Sequence, residues 1–278
     1  MEQAADVNGA ALGHRASTLR ALIKDLRSAV IAYSGGVDSS LVAAIAYEQL
    51  GDRALAITGV SASLAAGELD AARQLAARMG IRHETIETRE FDDPAYRANG
   101  ADRCFHCKDE LFARLTQIAR ARGFEHVADG TNADDGRSAL DVRPGQRAAR
   151  ERAVRSPLAQ AGMGKDAVRA LARELALPVW DKPAAPCLSS RVPHGTRIEL
   201  DDLRRIDLAE CYLRASGFPI VRVRHFGVRA RIEVPIADVE RLRAREEQLA
   251  RTLREVGYTA VEIDARGYRT GSLNEATA

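Results

Sequence analysis

The chain has 278 residues, of which 46% are hydrophobic and 29% are charged, and its formal net charge is +2 at pH 7. These values are typical of a folded protein with one large or two modest domains, and they exclude a global basic field of the kind that marks nucleic-acid binders. No apolar run reaches membrane-spanning length, and the start "MEQAADVNGAALGHRAS" lacks a secretory pattern, so we expect a cytoplasmic protein. Four cysteines are too few for a disulfide scaffold at this length and are expected to be thiols or metal ligands.

Strand and helix patterns alternate along the first 200 residues. In chain order they predict helix Thr18–Arg27, strand Ala29–Tyr33, helix Ser39–Leu50, strand Ala54–Thr58, a helix ended by Gly80, strand 82–87, helix Asp109–Arg122 and a strand from His126. This alternation predicts an α/β fold with a doubly wound parallel sheet. Residues 134–157 lose the periodicity and are expected to form an exposed active-site loop. A helix stopped by Pro178 follows, and then a loop rich in proline and glycine.

The pattern changes after Leu200. It predicts helix Asp202–Ala215, strands Ile220–His225 and Arg229–Pro235, a long helix Ala237–Val256 and strand Ala260–Asp264. Strands that follow one another directly indicate a small α+β unit with antiparallel pairing. We therefore predict two domains, residues 1–200 and residues 201–278, and we expect the second to contribute to self-association, since strand edges need covering.

A glycine loop follows the first predicted strand. Its residues are Ser34, Gly35, Gly36, Val37, Asp38, Ser39 and Ser40. The glycines allow a sharp turn, the serines can donate hydrogen bonds, and the start of a helix favours an anion, although a plain strand–turn–helix connection has the same outline. The loop has no lysine to grip a terminal phosphate. The string resembles the signature of the PP-loop ATP pyrophosphatases, which cleave ATP between its α and β phosphates.

A second polar turn ends the fourth predicted strand. It contains Gly130, Thr131, Asn132 and Asp134. Ligands of doubly wound sheets bind beyond the carboxyl ends of the strands, where both loops are expected to lie. The PP-loop resemblance implies that these residues bind ATP, and that Asp38 and Asp134 hold Mg²⁺, which prefers carboxylate and phosphate oxygens.

Three cysteines are candidates for chemistry. Cys104 and Cys107 form a Cys-x-x-Cys pair, and Cys187 lies in the proline-rich loop with Lys182 and Arg191. Such a set could hold an iron–sulfur cluster with one open coordination site or a zinc ion, and the pair alone could be redox-active. Spacing does not separate these alternatives. Cys211 has apolar neighbours on a predicted helix and is expected to be buried.

A wider set of motifs resembles one family. The motifs are SGGVDSS, RCFHCK, DGTNADD, RPG, VRSPL, WDKPAAPCLSSRVPHG and GYRTGSLNE, in this order from Ser34 to Glu275. Together they resemble the LarE family of ATP-dependent sulfur transferases, which act in synthesis of the nickel-pincer nucleotide cofactor of lactate racemase.

The resemblance implies a reaction. A carboxylate of pyridinium-3,5-biscarboxylic acid mononucleotide is adenylated by ATP, and a sulfur donor then displaces AMP to leave a thiocarboxylate. In one subgroup the cysteine matching Cys187 gives up its own sulfur and becomes dehydroalanine. In another, three cysteines hold a 4Fe-4S cluster, and the presence of Cys104 and Cys107 favours this version here.

The resemblance also implies that residues 1–200 bind ATP and residues 201–278 bind substrate. It further implies site residues around the substrate. Catalytic roles fall to Cys187, Asp38, Arg191 and Glu210, and substrate contacts to Ser190, Arg191, Arg222 and Arg224. Arg222 and Arg224 are two residues apart on a predicted strand, so they share a face, and guanidinium groups suit phosphate. A solvated sheet edge is the alternative for these arginines.

Other functions remain open on the sequence alone. A PP-loop enzyme that thiolates transfer RNA would share the ATP loop and the cysteines, but the near-neutral charge argues against RNA. A non-catalytic nucleotide-binding regulator would not need the set of Asp38, Asp134 and Cys187. Amide synthesis from ammonia would not explain the cysteines. We expect a small-molecule substrate, a homo-oligomer and possible supply of sulfur by a donor protein, with no membrane partner.

Overall fold

The computed structural model of the protein describes residues 2–135 and 144–269. Parts of two predicted motifs, Arg143 of RPG and residues 270–275 of GYRTGSLNE, lie outside these ranges, as does part of the aperiodic stretch 134–157. No helix in the described ranges is long and apolar enough to cross a membrane.

Two compact units make up the chain. The first comprises Met1–Ser61, Gly67–Asp92 and Cys104–Ala185, and the second comprises Ala62–Ala66, Asp93–Arg103 and Pro186–Ala278. The second unit thus begins at Pro186, before the predicted boundary at Leu200, and takes in two short segments from the N-terminal half that the sequence did not assign to it. The division of functions between residues 1–200 and 201–278 stays a prediction.

The helices and strands up to the proline-rich loop follow the predicted alternation. They are α1 Glu2–Lys24, β1 Ala29–Ala32, α2 Val37–Leu50, β2 Ala54–Val60, α3 Glu68–Met79, β3 Arg82–Glu87, α4 Pro94–Arg97, α5 Arg103–Ala121, β4 His126–Ala128, α6 Pro144–Glu151, α7 Pro157–Gln160 and α8 Lys165–Glu174. Helix α1 starts well before the predicted Thr18, helix α6 falls within the stretch predicted to be a loop, and helix α7 begins at the last residue of that stretch.

The first unit is built on a four-stranded parallel sheet with the order β3-β2-β1-β4. Alternate residues of a strand point to opposite faces, and β1 is buried on both. Ala29 and Ile31 pack in one core with α1, α2 and α8, while Val30 and Ala32 pack in another with α5 and α6. The predicted doubly wound α/β fold is confirmed. The strand order reverses between β1 and β4, which places the ends of these two strands at the usual ligand crevice of such sheets.

The second unit carries a small three-stranded sheet. Its elements are α9 Leu200–Ala215, β5 Arg222–Phe226, β6 Arg229–Glu233, α10 Val239–Arg243, α11 Glu246–Glu255 and β7 Ala260–Ile263. Strands β5 and β6 are antiparallel around Gly227, whose φ is +66°. Their inner residues pack on α9, α10 and α11 in a core of their own.

The predicted antiparallel pairing of the directly connected strands β5 and β6 is confirmed. Strand β7 pairs parallel to β6, because a helical connection rather than a hairpin joins them. One prediction for this unit was wrong. The predicted long helix Ala237–Val256 is two helices, broken at Ala244 and Arg245. No glycine or proline marks the break. The Arg245 guanidinium donates to the Ser216 carbonyl at 2.7 Å and lies over the Phe218 ring, so contacts distant in sequence accompany the turn.

Candidate functional site: two loops at the sheet edge and a cysteine loop

The glycine loop after β1 is a close-packed turn. Gly35 has a φ of +71°, and a Cβ there would lie 3.0 Å from the Cβ of Ala72 and 3.1 Å from its Cα, so a side chain has neither the conformation nor the space. The hydroxyls of Ser34 and Ser39 are 3.1 Å apart, and Ser39 Oγ donates to the Gly36 carbonyl at 3.2 Å. These bonds hold the loop in shape before any ligand arrives.

Helix α2 begins directly after this loop. Gly36 is extended at the N-cap, and the Ser40 amide donates to its carbonyl at 2.9 Å, the first bond of the helix. The amides of the first turn therefore point toward the loop, an arrangement that favours an anion at the start of α2. Ser40 itself is fully buried, so among the predicted hydroxyls those of Ser34 and Ser39 are nearest the loop surface.

The turn after β4 packs directly on the start of α2. A Cβ on Gly130 would lie 2.7 Å from the Ser39 amide nitrogen, so only glycine allows the two loops to approach this closely. Asp129 is buried and accepts bonds from the Thr131 amide, the Thr131 hydroxyl and the Ser156 hydroxyl at 3.1, 2.7 and 2.8 Å. The two predicted ATP loops are therefore one continuous site.

A lysine that the sequence analysis missed lies in this site. Lys165, the first residue of α8, forms a salt bridge with Asp38, and its backbone amide donates to Asp134 Oδ2 at 2.6 Å. Asn132 Nδ2 also donates to Asp38, at 3.3 Å. A Cβ on Gly164 would overlap the Asp134 carboxylate, which explains the glycine before the lysine. A helix far along the chain thus brings a lysine beside the glycine loop, which has no lysine of its own.

Cys104 and Cys107 lie one turn apart near the start of α5, Cys104 exposed and Cys107 half-buried. Both belong to the first unit, whereas Cys187 belongs to the second. Within residues 2–135 and 144–269, no group of three or more His, Cys, Asp or Glu side chains could hold a metal ion. Cys211, expected among apolar neighbours, is half-buried on α9 beside Asp207 and Arg214. Burial and the Asp207 carboxylate raise the pKa of the Cys211 thiol.

Cys187 caps a short 3₁₀ turn, Leu188–Arg191. Its carbonyl accepts from the Ser190 amide and from Arg191 Nη1, both at 3.0 Å, and the Leu188 amide donates to the Ser63 carbonyl at 2.8 Å. The backbone on both sides of the half-buried thiol is therefore anchored.

Arg191 and Glu210 form a buried ion pair. Their exposures are 2% and 0%, and Arg191 Nε and Nη2 donate to the two carboxylate oxygens at 2.8 and 2.9 Å. Glu210 also accepts from Arg214 and from the Val223 amide, at 2.7 and 3.0 Å. Burial raises the pKa of Glu210, but the hydrogen bonds and charge of Arg191, the Val223 amide and the charge of Arg222 together outweigh burial, so the pKa lies below its ordinary value. The pair therefore links the Cys187 turn to α9 and β5.

The two arginines predicted to bind phosphate lie side by side on β5 and are buried rather than on a solvated edge. Arg224 donates to Glu233 Oε2 at 2.9 and 2.8 Å and to the Ser190 carbonyl at 3.0 Å. Arg222 lies over the Tyr268 ring, and burial together with the charge of Arg191 lowers its pKa. Ser190, Arg191, Arg222 and Arg224 thus gather around the Cys187 turn.

Comparison with known proteins places this site in a family. The Asparagine synthase family model matches residues 19–134, which contain both ATP loops. A pyridinium-3,5-bisthiocarboxylic acid mononucleotide synthase of Lactiplantibacillus plantarum is 36% identical over 267 residues, 96% of each chain. The chain belongs to the LarE family. An uncharacterized protein of Synechocystis is 45% identical over 95% of this chain and 98% of its own. A tRNA-specific 2-thiouridylase of Acidiphilium cryptum is 30% identical over 65% of this chain and 62% of its own.

Membership of the LarE family makes this protein an enzyme, an ATP-using sulfurtransferase. The glycine loop and most of the turn after β4 lie within the residues that match the family model, and their role in binding ATP remains a prediction. The roles of individual residues remain predictions, and Lys165 joins them from the structure.

Proposed function

We propose that this enzyme adenylates the carboxylates of pyridinium-3,5-biscarboxylic acid mononucleotide and converts them to thiocarboxylates. The observation that carries the proposal is the joining of the two loops, with Asp38 at their centre, in a chain similar over nearly its full length to a synthase named for the bisthiocarboxylic product. A carboxylate is a poor electrophile, and adenylation gives it a good leaving group.

In this proposal the two loops hold ATP by its phosphates. Ser34, Ser39 and the amides of the first turn of α2 bind the departing pyrophosphate, which matches the pre-shaped glycine loop. The turn after β4 would contact ATP from the opposite side, through Gly130, Thr131 and Asn132. The leaving group is a diphosphate, so no lysine within the loop is needed to grip a transferring terminal phosphoryl group.

Magnesium would bind at the same edge. Asp38 and Asp134 are both joined to Lys165, one through its side chain and one through its amide. Mg²⁺ takes one or two carboxylates together with phosphate oxygens and water, so two aspartates fit it without a third protein ligand. The ion would neutralise charge on the phosphates. Lys165 would then turn from Asp38 toward the pyrophosphate as the cation replaces it.

Cys187 is the proposed site of sulfur transfer. The anchored turn would hold its thiol, and the buried arginines Arg191, Arg222 and Arg224 would place the substrate, with the phosphate on the last two. Desolvated guanidinium groups form strong charge-assisted bonds with phosphate. Phosphate would compete with Glu233 for Arg224, and Glu210 would keep Arg191 oriented.

The sulfur source has two versions. A 4Fe-4S cluster would be held by Cys104, Cys107 and Cys187 and would supply sulfide at its open iron; the two thiols one helical turn apart suit two of its ligands. Alternatively, Cys187 gives up its own sulfur and becomes dehydroalanine. Anaerobic reconstitution distinguishes them: iron, acid-labile sulfide and a visible charge-transfer band support the cluster. A loss of one H₂S from the Cys187 peptide after turnover supports the sacrificial route.

Thiolation of transfer RNA is the second candidate function, since a tRNA-specific 2-thiouridylase matches 65% of this chain. Salt-sensitive binding of transfer RNA, and sulfur found in the RNA after incubation with Mg-ATP, would favour it. A homo-oligomer, a sulfur-donor protein and a cytoplasmic location complete the proposal.

The test is a single anaerobic reaction of protein, Mg-ATP and the pyridinium substrate. The proposal expects AMP, pyrophosphate and a product whose mass shows sulfur in place of oxygen. Cys187→Ser should retain substrate-dependent exchange of pyrophosphate into ATP and lose the thiolated product. Pyrophosphate release that needs no substrate, or a Cys187→Ser variant with full thiolation, would refute the assigned roles. ATP binding with no pyrophosphate release would identify a nucleotide-binding regulator instead.

A further inference from the structure

The segment Asp93–Arg103 belongs to the second unit, although it lies between strands of the first in sequence. At its centre Asn99 is fully buried and has a φ of +57°. Residues other than glycine seldom adopt this left-handed conformation, although asparagine tolerates it best, and such positions are often found near functional sites. The hydrogen bonds that Asn99 forms in this conformation give a physical reason for it.

Asn99 binds the loop that follows the Cys187 turn. Its side-chain Nδ2 donates to the carbonyls of Pro193 and Thr196 at 2.8 and 2.9 Å. Its backbone carbonyl accepts from the Gly195 amide at 2.9 Å. The Asn99 side chain therefore bridges the first and last residues of the loop 193–196. A longer or apolar residue could not satisfy the same carbonyls, which would stay buried without partners.

Arg103 extends these bonds into the turn itself. It is 6% exposed, and its Nη1 donates to Asn99 Oδ1 at 2.6 Å and to the Ser189 carbonyl at 3.0 Å. The Tyr96 hydroxyl lies 2.7 Å from Ser189 Oγ. We call Tyr96, Asn99, Arg103 and Ser189 the Asn99 cluster.

The Cys187 turn is thus held at two separate places. The Arg191–Glu210 pair holds the carbonyl of Cys187, while the Asn99 cluster holds Ser189 within the same turn and the loop that follows it. Cys187 is the N-cap of this turn and Ser189 is its second residue, so movement of Ser189 would reorient the thiol.

We propose that Asn99 and Arg103 are positioning residues for the Cys187 thiol. The proposal rests on the sulfur-transfer role of Cys187 proposed above. Neither residue touches the thiol; they act through the backbone of the turn. A reacting group displaced by about 1 Å can lose on the order of 100-fold in rate, so loosening this turn should affect sulfur transfer far more than adenylation.

The test compares Asn99→Gly with Arg97→Ala. Glycine accepts the left-handed backbone and removes only the side-chain bonds. Arg97 lies in the same segment, and its side chain pairs with Glu199 while remaining partly exposed, so its removal is the control. Arg103→Met and Arg103→Lys form a second pair, because lysine keeps the charge and one donor.

Three quantities are measured on each folded variant: substrate-dependent pyrophosphate exchange, thiolated product, and the rate at which iodoacetamide alkylates Cys187, mapped by mass spectrometry. For Asn99→Gly and Arg103→Met we expect exchange within about twofold of wild type and thiolation lower by about 100-fold. Alkylation should be about tenfold faster because the half-buried thiol is released. Arg103→Lys should fall between Arg103→Met and wild type, and Arg97→Ala should match wild type.

Equal losses of exchange and thiolation in Asn99→Gly and Arg103→Met would show a general structural role and overturn the proposal. Wild-type values of all three quantities in these two variants would also overturn the proposal. If wild-type protein forms no thiolated product, the proposed function fails, and the alkylation rates still decide whether the Asn99 cluster sets the accessibility of Cys187.

Discussion

Removal of the Glu210 carboxylate should destabilise the second unit strongly. In Glu210→Ala, the Arg191 guanidinium loses both of its carboxylate bonds while remaining 2% exposed, and the Val223 amide loses its acceptor. The variant leaves a buried charge without its partner. Breaking a buried pair in this way costs about 3–5 kcal/mol of unfolding free energy.

The cost can be expressed as a melting temperature. One kcal/mol lowers Tm by about 2–4 °C in a protein of 150–250 residues and by more in a smaller unit, so we expect a decrease of about 10 °C or more. The control is Asp201→Ala on the same helix. Asp201 pairs with Arg204, but their side chains are 85% and 75% exposed, and such surface pairs contribute only about 0–1 kcal/mol.

Scanning calorimetry at several pH values tests the electrostatic part of the argument. The pKa of Glu210 is lower in the folded protein than in the unfolded chain, so its stabilisation is complete above the unfolded-state value and is lost as pH falls through the folded value. The difference between wild type and Glu210→Ala should therefore be full at pH 7 and should shrink as the pH falls below about 4. A Glu210→Ala variant as stable as Asp201→Ala at pH 7 would refute the reasoning.

Two further predictions concern the ATP loops. Gly130→Ala forces a Cβ against the backbone of Ser39 and should cost about 1–3 kcal/mol, raising the KM for ATP by about tenfold. Gly13→Ala, at an exposed position of α1, meets no atom within 4 Å and should leave the KM unchanged. Equal kinetics of these two variants would exclude close packing of the loops. Lys165→Met should lower the rate of pyrophosphate exchange by about 100-fold, with partial recovery in Lys165→Arg, because the cation that pairs with Asp38 is proposed to bind the pyrophosphate. A wild-type rate for Lys165→Met would show that Lys165 has no part in adenylation.

Much of the first unit could be predicted from local patterns. Strands β1 and β2 are apolar runs, and the confirmed parallel pairing of the sheet follows from the helices between its strands. The positions of both ATP loops follow in turn, because strand ends meet at one edge of a parallel sheet. Each of these two loops is therefore a short continuous stretch that local sequence patterns can locate.

The features that the sequence analysis did not predict depend on contacts between residues far apart along the chain. Lys165 is 127 residues from Asp38 along the chain, and as the first residue of an ordinary amphipathic helix it carries no local mark of its role. Asn99 looks like a turn residue, and only the fold shows that its side chain closes the loop after Cys187. The parallel pairing of β7 depends on how α10 and α11 pack, which periodicity does not report.

The resemblance to a family and the structure contribute different parts of the substrate site. Motif similarity indicates that Arg191, Arg222 and Arg224 belong together near Cys187. The structure adds that Glu210 and Glu233 are buried against two of them, which motif similarity alone does not convey. The roles of residues that would contact a bound substrate remain predictions, whether they come from motif similarity or from the structure.

Analysis of the nucleotide products tests the central claim most directly. Protein incubated anaerobically with Mg-ATP, the pyridinium biscarboxylic acid mononucleotide and a sulfur source should release AMP and pyrophosphate in step with the thiolated product. Release of ADP and phosphate, or no cleavage of ATP with all components present, would contradict the account.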